Sequence, residues 1–90
     1  DFTSLISLKP SASAYTLRGR SKYAQKYYAK AISDLNKAIK LDKNYHDAYY
    51  FRGLSWIDFG KKRKGCKDLK EAEKKGNSKA RKKYDDSKCW

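Results

Sequence analysis

Ninety residues carry a formal charge of +13, from 23 Lys and Arg against 10 Asp and Glu. A chain of that length supports one small domain or a part of a larger one, and a single compact core is marginal at that size. With Val absent, one Pro and five Gly, the composition favours helix over strand, and no apolar run is long enough to span a membrane.

In chain order, Asp1-Phe2 to Leu8 reads as the end of a helix stopped before Pro10. The chain starts without Met, so it is expected to be an excised piece of a longer protein. Compartment stays open, with a slight preference for the cytoplasm, and no targeting signal is visible. From about Ala12 to Gln25 only Gly19 interrupts a helical stretch, and the Lys26-Tyr27-Tyr28 region is expected to turn. From Ala29 to Leu41 the apolar residues Ala31, Ile32, Leu35, Ala38, Ile39 and Leu41 recur at three- and four-residue spacing, which predicts an amphipathic helix. After Asp42-Lys43-Asn44, the pattern begins again. A helix is expected over His46 to Phe59, a turn at Gly60-Lys61, and a further helix over Lys62 to Lys75 with Gly76 as its stop. Asn77 or Ser78 then caps a short last helix through Tyr84.

The elements repeat because the sequence repeats. Displaced by 34 residues, Ala14 falls on Ala48, Tyr15 on Tyr49, Arg18 on Arg52, Gly19 on Gly53 and Ser21 on Ser55. Further along, Asp34 falls on Asp68, Leu35 on Leu69, Ala38 on Ala72 and Lys40 on Lys74. A fixed period of this size signals stacked two-helix units that bury their apolar faces against one another. Residues 12–45 and 46–79 form two full units, 1–8 the second helix of a truncated preceding unit, and 78–88 a C-terminal capping helix.

This pattern resembles the tetratricopeptide repeat across essentially the whole chain. The matching residues are Tyr15, Gly19, Ala31, Leu35 and Ala38 in the first unit, with Lys43 at the usual proline. In the second they are Tyr49, Gly53, Trp56, Leu69 and Ala72, with Gly65 in place of the first Ala. Phe2, Leu5 and Pro10 fit the partial leading unit. The resemblance implies an all-α superhelix of antiparallel helix pairs. Gly19 and Gly53 let helices approach closely, small residues face them, and Tyr15, Tyr49 and Trp56 fill larger gaps. Arg18 and Arg52 stand where the family has Leu; either the first helices are expected to rotate slightly, or the arginine stems to lie over the core with their heads in water. Gly76-Asn77 with Ala80 is similar to Sel1-like repeats, but the period of 34 argues against that subfamily.

In the family the inner face binds extended peptides or helices. The resemblance puts Ser13, Thr16, Arg20, Tyr23 and Ala24 there from the first unit, and Asp47, Tyr50, Leu54, Ile57 and Asp58 from the second. Thr16, Arg20, Tyr23, Tyr50, Leu54 and Ile57 are the candidate partner-binding residues, suited to an apolar-anchored peptide carrying an acidic group. Single apolar residues among them are as readily explained by packing within the array. The carboxylate clamp of chaperone-binding members is not expected, because Thr16, Arg20 and Phe51 occupy its positions.

Two other readings stay open. Between Lys61 and Lys83, twelve basic residues face Asp68, Glu71 and Glu73. With Tyr27, Tyr28, Tyr84 and Trp90 as stacking surfaces, that half suits nonspecific binding of nucleic acid or an acidic partner, although a solvated helix face explains it more simply. Alternatively the repeats only join or oligomerise parts of a longer protein through the unpaired N-terminal helix. Chemistry finds little footing. His46, the single histidine, begins a helix, and Gly60 and Gly65 lack the spacing of a phosphate loop. Asp85-Asp86 has no partner carboxylates for a metal, so no catalytic residue, metal or cofactor is expected. Cys66 and Cys89 form neither a disulfide framework nor a metal set; Cys66 is expected as a small buried hydrophobe and Cys89 in an exposed tail.

Overall fold

The computed structural model describes Ile6 and residues 9–89. The helix expected over Asp1 to Leu8 lies outside the described residues apart from Ile6, and so does Trp90. Five helices follow: α1 (Ala12–Ala24), α2 (Tyr28–Leu41), α3 (His46–Asp58), α4 (Lys62–Lys74) and α5 (Ala80–Asp86). No strand occurs among the described residues, and the fold is an all-α helical repeat array. The molecule measures 41 × 25 × 17 Å along its principal axes.

Local chemistry sets the helix ends. Ser11 caps α1, its Oγ accepting from the Ala14 N–H at 3.1 Å. After α1 the chain closes with Tyr27 N–H bonded to the Lys22 carbonyl at 2.8 Å, and Lys26 takes a left-handed φ of 67°. The equivalent closure after α3, Lys61 N–H to the Trp56 carbonyl at 2.7 Å, has Gly60 in that conformation, with φ 92°. Gly76 and Lys88 do the same after α4 and α5. These C-terminal closures satisfy carbonyls that the helix leaves orphaned and turn the chain sharply. Short connections then fold each helix back on its predecessor.

Packing is sequential: α1 lies against α2, α2 against α3, α3 against α4 and α4 against α5. The first helices of the two pairs, α1 and α3, also touch. One core cluster gathers Ala12, Leu35, Ala38 and Ala48, with Tyr15, Ile39, Tyr45 and Phe51 around it. A second gathers Tyr50, Leu69, Ala72 and Ala80, ringed by Tyr49, Phe51, Leu54, Ile57 and Tyr84. Phe51 borders both, so the core runs on from one pair to the next. Ala31, Leu35, Ala38, Ala48, Leu69, Ala72 and Ala80 are fully buried.

The glycines mark where backbones meet. A Cβ on Gly53 would lie 2.9 Å from the Gly65 carbonyl oxygen, and one on Gly65 would press on Ile57 and lie 2.5 Å from the Gly53 carbonyl. In the first pair a Cβ on Gly19 would meet Leu35 at 2.8 Å and the Ala31 carbonyl at 3.2 Å. Such contact explains why both pairs keep a helix-interior glycine that costs about 1 kcal/mol in propensity.

Each pair is also clamped by an ion pair. Arg18 donates from Nε and Nη2 to the two carboxylate oxygens of Asp34, at 2.9 and 2.7 Å. Arg52 repeats this on Asp68 at 2.8 Å twice, and its Nη1 donates to Asn36 on α2 at 2.9 Å. Asp34 and Asp68 are buried. The arginine heads therefore do not simply reach water, as their replacement of Leu suggests. Each faces a buried carboxylate across its pair, while its guanidinium lies over Tyr15 or Tyr49 at 5.7 and 5.5 Å.

The cysteines correct the sequence reading. Cys66 and Cys89 form a disulfide, with Cα atoms 5.4 Å apart. Neither is a free thiol, because the turn at Lys88 brings the tail back over α4. The bond fastens the segment after α5 to the middle of α4.

Candidate functional site

The first helices and the turn entering α5 enclose a cleft of about 380 Å³. Arg20 comes from α1; His46, Asp47, Tyr50 and Phe51 come from the first turns of α3; and residues 76–79 close the third side. Asn77 organises this wall. Buried behind it, Asn77 donates from Nδ2 to Asp47 at 3.0 Å and to His46 Nδ1 at 3.1 Å. Its Oδ1 accepts from the Lys79 N–H at 2.9 Å. The side chain thus uses both amide groups to tie the entrance of α5 to the start of α3. His46, which begins α3, is held in this network.

Arg20 forms the opposite lip. It is exposed and lies over the Phe51 ring at 5.3 Å. Among the described residues no carboxylate comes within ion-pairing distance of Arg20 or Lys79. Two cations therefore border the cleft without a direct ion-pair partner, while the charged Asp47 carboxylate, which also lines it, accepts from Asn77. Burial, and secondarily the Asp47 charge, hold the Tyr50 phenol above its ordinary pKa.

The six sequence candidates are dispersed by the fold. Arg20 and Tyr50 line the cleft. Tyr50 is nonetheless buried, packed with Leu69, Ala72 and Ala80, and Thr16 one period earlier is buried too, so neither offers a free surface. The Thr16 hydroxyl finds no hydrogen-bond partner among the described residues. Tyr23 is half-buried and donates its hydroxyl to Asp58 at 2.6 Å, joining the ends of α1 and α3. Burial first, then that hydrogen bond, raises the Tyr23 pKa well above the usual phenol range. Leu54 and Ile57 are half-buried against the second core cluster, and Ile57 covers Gly65. The exposed strip on the inner side is accordingly narrower than the periodicity suggests: Arg20, the ring of Tyr23 and the flanks of Leu54 and Ile57.

Asn77 and Lys79 were outside the sequence candidates, since they lie beyond the second helix pair and enter the cleft only through the turn after Gly76. Of the repeat-packing positions, Gly19, Ala31, Leu35, Ala38, Gly53, Gly65, Leu69 and Ala72 are buried. Tyr15, Tyr49 and Trp56 are half-buried; two cations lie near each tyrosine ring, and Lys64 lies 4.6 Å from the Trp56 ring. Among the described residues no group of three His, Cys, Asp or Glu is arranged to hold a metal ion, and no helix is long and apolar enough to cross a membrane.

Known proteins match this arrangement. The family model described as tetratricopeptide repeat matches residues 12–45. A human protein named tetratricopeptide repeat protein 13 is 34% identical over 74 residues, which is 82% of this chain. The chain spans about 9% of that relative's length.

Proposed function

Because the chain belongs to the tetratricopeptide-repeat family, whose repeats generally mediate protein–protein interaction, we propose that it is a binding module taking an extended peptide segment of a protein partner. Residues 12–45 and 46–79 serve as its two repeats. The peptide lies along α1 and α3, with an acidic group between Arg20 and Lys79 and an apolar side chain against Leu54 and Tyr23. The observation that carries this reading is the cleft itself. It has two cations without ion-pair partners at its rim, the half-buried Phe51 ring beneath Arg20, and a wall fixed by Asn77. Ordered walls lower the entropy lost on binding.

The test is a peptide display library panned against the chain, with selected sequences measured by calorimetry. Selected peptides should share an acidic residue next to an apolar one, and Arg20→Ala should weaken them at least tenfold. Peptides without that pairing, or binding indifferent to both Arg20→Ala and Leu54→Ala, would remove the reading.

A further inference from the structure

We propose that a second surface, the outer face of α4 extended by Lys88, binds a linear sulfated polysaccharide. Arg63, Lys67, Lys70 and Lys74 are exposed and follow one another at four-, three- and four-residue steps. At 3.6 residues per turn these four fall within an arc of roughly 60° and form a straight row about 16 Å long. Among the described residues none of Lys61, Lys62, Arg63, Lys67 and Lys70 has a carboxylate within ion-pairing distance, and Lys74 reaches Glu71 only at 3.9 Å. Four consecutive cations, Lys61 to Lys64, also crowd the positive end of the α4 dipole, whose first turn holds no acidic residue. Charges so placed oppose the helix they sit on, a local conflict expected where the surface serves binding.

The disulfide adds both geometry and a context. By tying Cys89 to Cys66 it sets Lys88 beside Lys62 and Arg63 around a pocket of about 360 Å³ at one end of the row. That pocket is large enough for a charged sugar substituent. Disulfides persist in oxidising compartments and are rare in cytosol and nucleus. Basic runs of this kind suit either nucleic acid or heparin-like chains. In an oxidising compartment the abundant linear polyanions are sulfated glycans. The row itself also carries no aromatic ring on which a base would stack, the device that single-stranded nucleic acid binders use.

The experiment measures binding of a heparin oligosaccharide to the oxidised chain over a series of salt concentrations. The triple variant Arg63→Gln, Lys67→Gln, Lys70→Gln is compared with Lys9→Gln, Lys40→Gln, Lys43→Gln, which loses the same charge from exposed positions elsewhere. Circular dichroism verifies that both stay helical. The row variant should weaken binding at least tenfold and lower the slope of log K against log[salt] by about 2, from roughly 0.7 per lost contact. The control should weaken it less than threefold, and Lys88→Gln twofold or more. Equal losses in the two triples would mean that net charge alone attracts the polyanion, and the proposal would fall. It would fall equally if Lys88→Gln changed nothing, if desulfated heparin or an RNA of matched charge bound as tightly, or if chain secreted from cells titrated with two free thiols.

Discussion

Replacing Gly65 by Ala sets two physical effects against each other. In an ordinary helix interior the change would stabilise by about 1 kcal/mol, because Ala has the higher propensity. Here the new methyl would sit 2.5 Å from the Gly53 carbonyl oxygen and against the Ile57 side chain. Ordinary contact begins near 3.4 Å, so α3 and α4 would have to separate by about 0.9 Å. A backbone oxygen cannot rotate out of the way, and the Arg52–Asp68 clamp spans the same two helices. Overpacking of this kind costs typically 1–3 kcal/mol; taking the upper value and subtracting the propensity gain leaves a net loss of about 2 kcal/mol. At 4–8 °C per kcal/mol for a domain of this size, Tm should fall by roughly 8–16 °C in thermal circular dichroism. Gly19→Ala should cost less, since its nearest obstacle is the Leu35 side chain rather than a carbonyl. A Tm for Gly65→Ala equal to or above that of the parent would refute the reasoning about helix approach.

Asp34→Ala should destabilise by about 3 kcal/mol in urea unfolding, because it strands the partly buried Arg18 guanidinium. The double variant Arg18→Leu, Asp34→Leu should recover most of that; a loss below about 1 kcal/mol for the single variant would show that the clamp contributes little. Lys26→Gly should stabilise by about 1 kcal/mol by the same measurement, since Lys26 occupies the left-handed position that Gly60 fills one repeat later. Folding raises the Tyr23 pKa, so the stability linked to it is fully present below the unfolded phenol value of about 10 and is lost as pH rises above it. Tyr23→Phe should lower stability at neutral pH by losing the Asp58 hydrogen bond, and should flatten the alkaline decline; an unchanged alkaline slope would contradict that assignment.

The helices were legible because the period and the breaker residues agree. Gly60 and Gly76 lie in left-handed closures, and the apolar spacing of α2 falls on its buried or half-buried face through Ile39, whereas Leu41 at its end is exposed. Less legible was anything fixed by a neighbour distant in sequence. Asp34 and Asp68 were visible as one repeated pair and Arg18 and Arg52 as another, yet the bonding of each arginine to the aspartate 16 residues away was not. Thr16 and Tyr50 share the inner-face register, but Tyr50 is covered by Ala80 of α5. The Cys66–Cys89 bond depends on a left-handed turn at Lys88, a residue type that gives no warning of it. Asn77 looked like a helix cap; its reach to His46 and Asp47 exists only once the turn after Gly76 folds back to the start of α3.

The central claim, peptide capture along α1 and α3, is tested most directly by mapping amide chemical-shift changes on the labelled chain as a selected acidic–apolar peptide is added. The account predicts that the largest changes fall at Arg20, Tyr23, Phe51, Leu54 and Lys79, with the outer positions Arg63, Lys67 and Lys70 unmoved. Changes concentrated on α4 and absent from the cleft would contradict it.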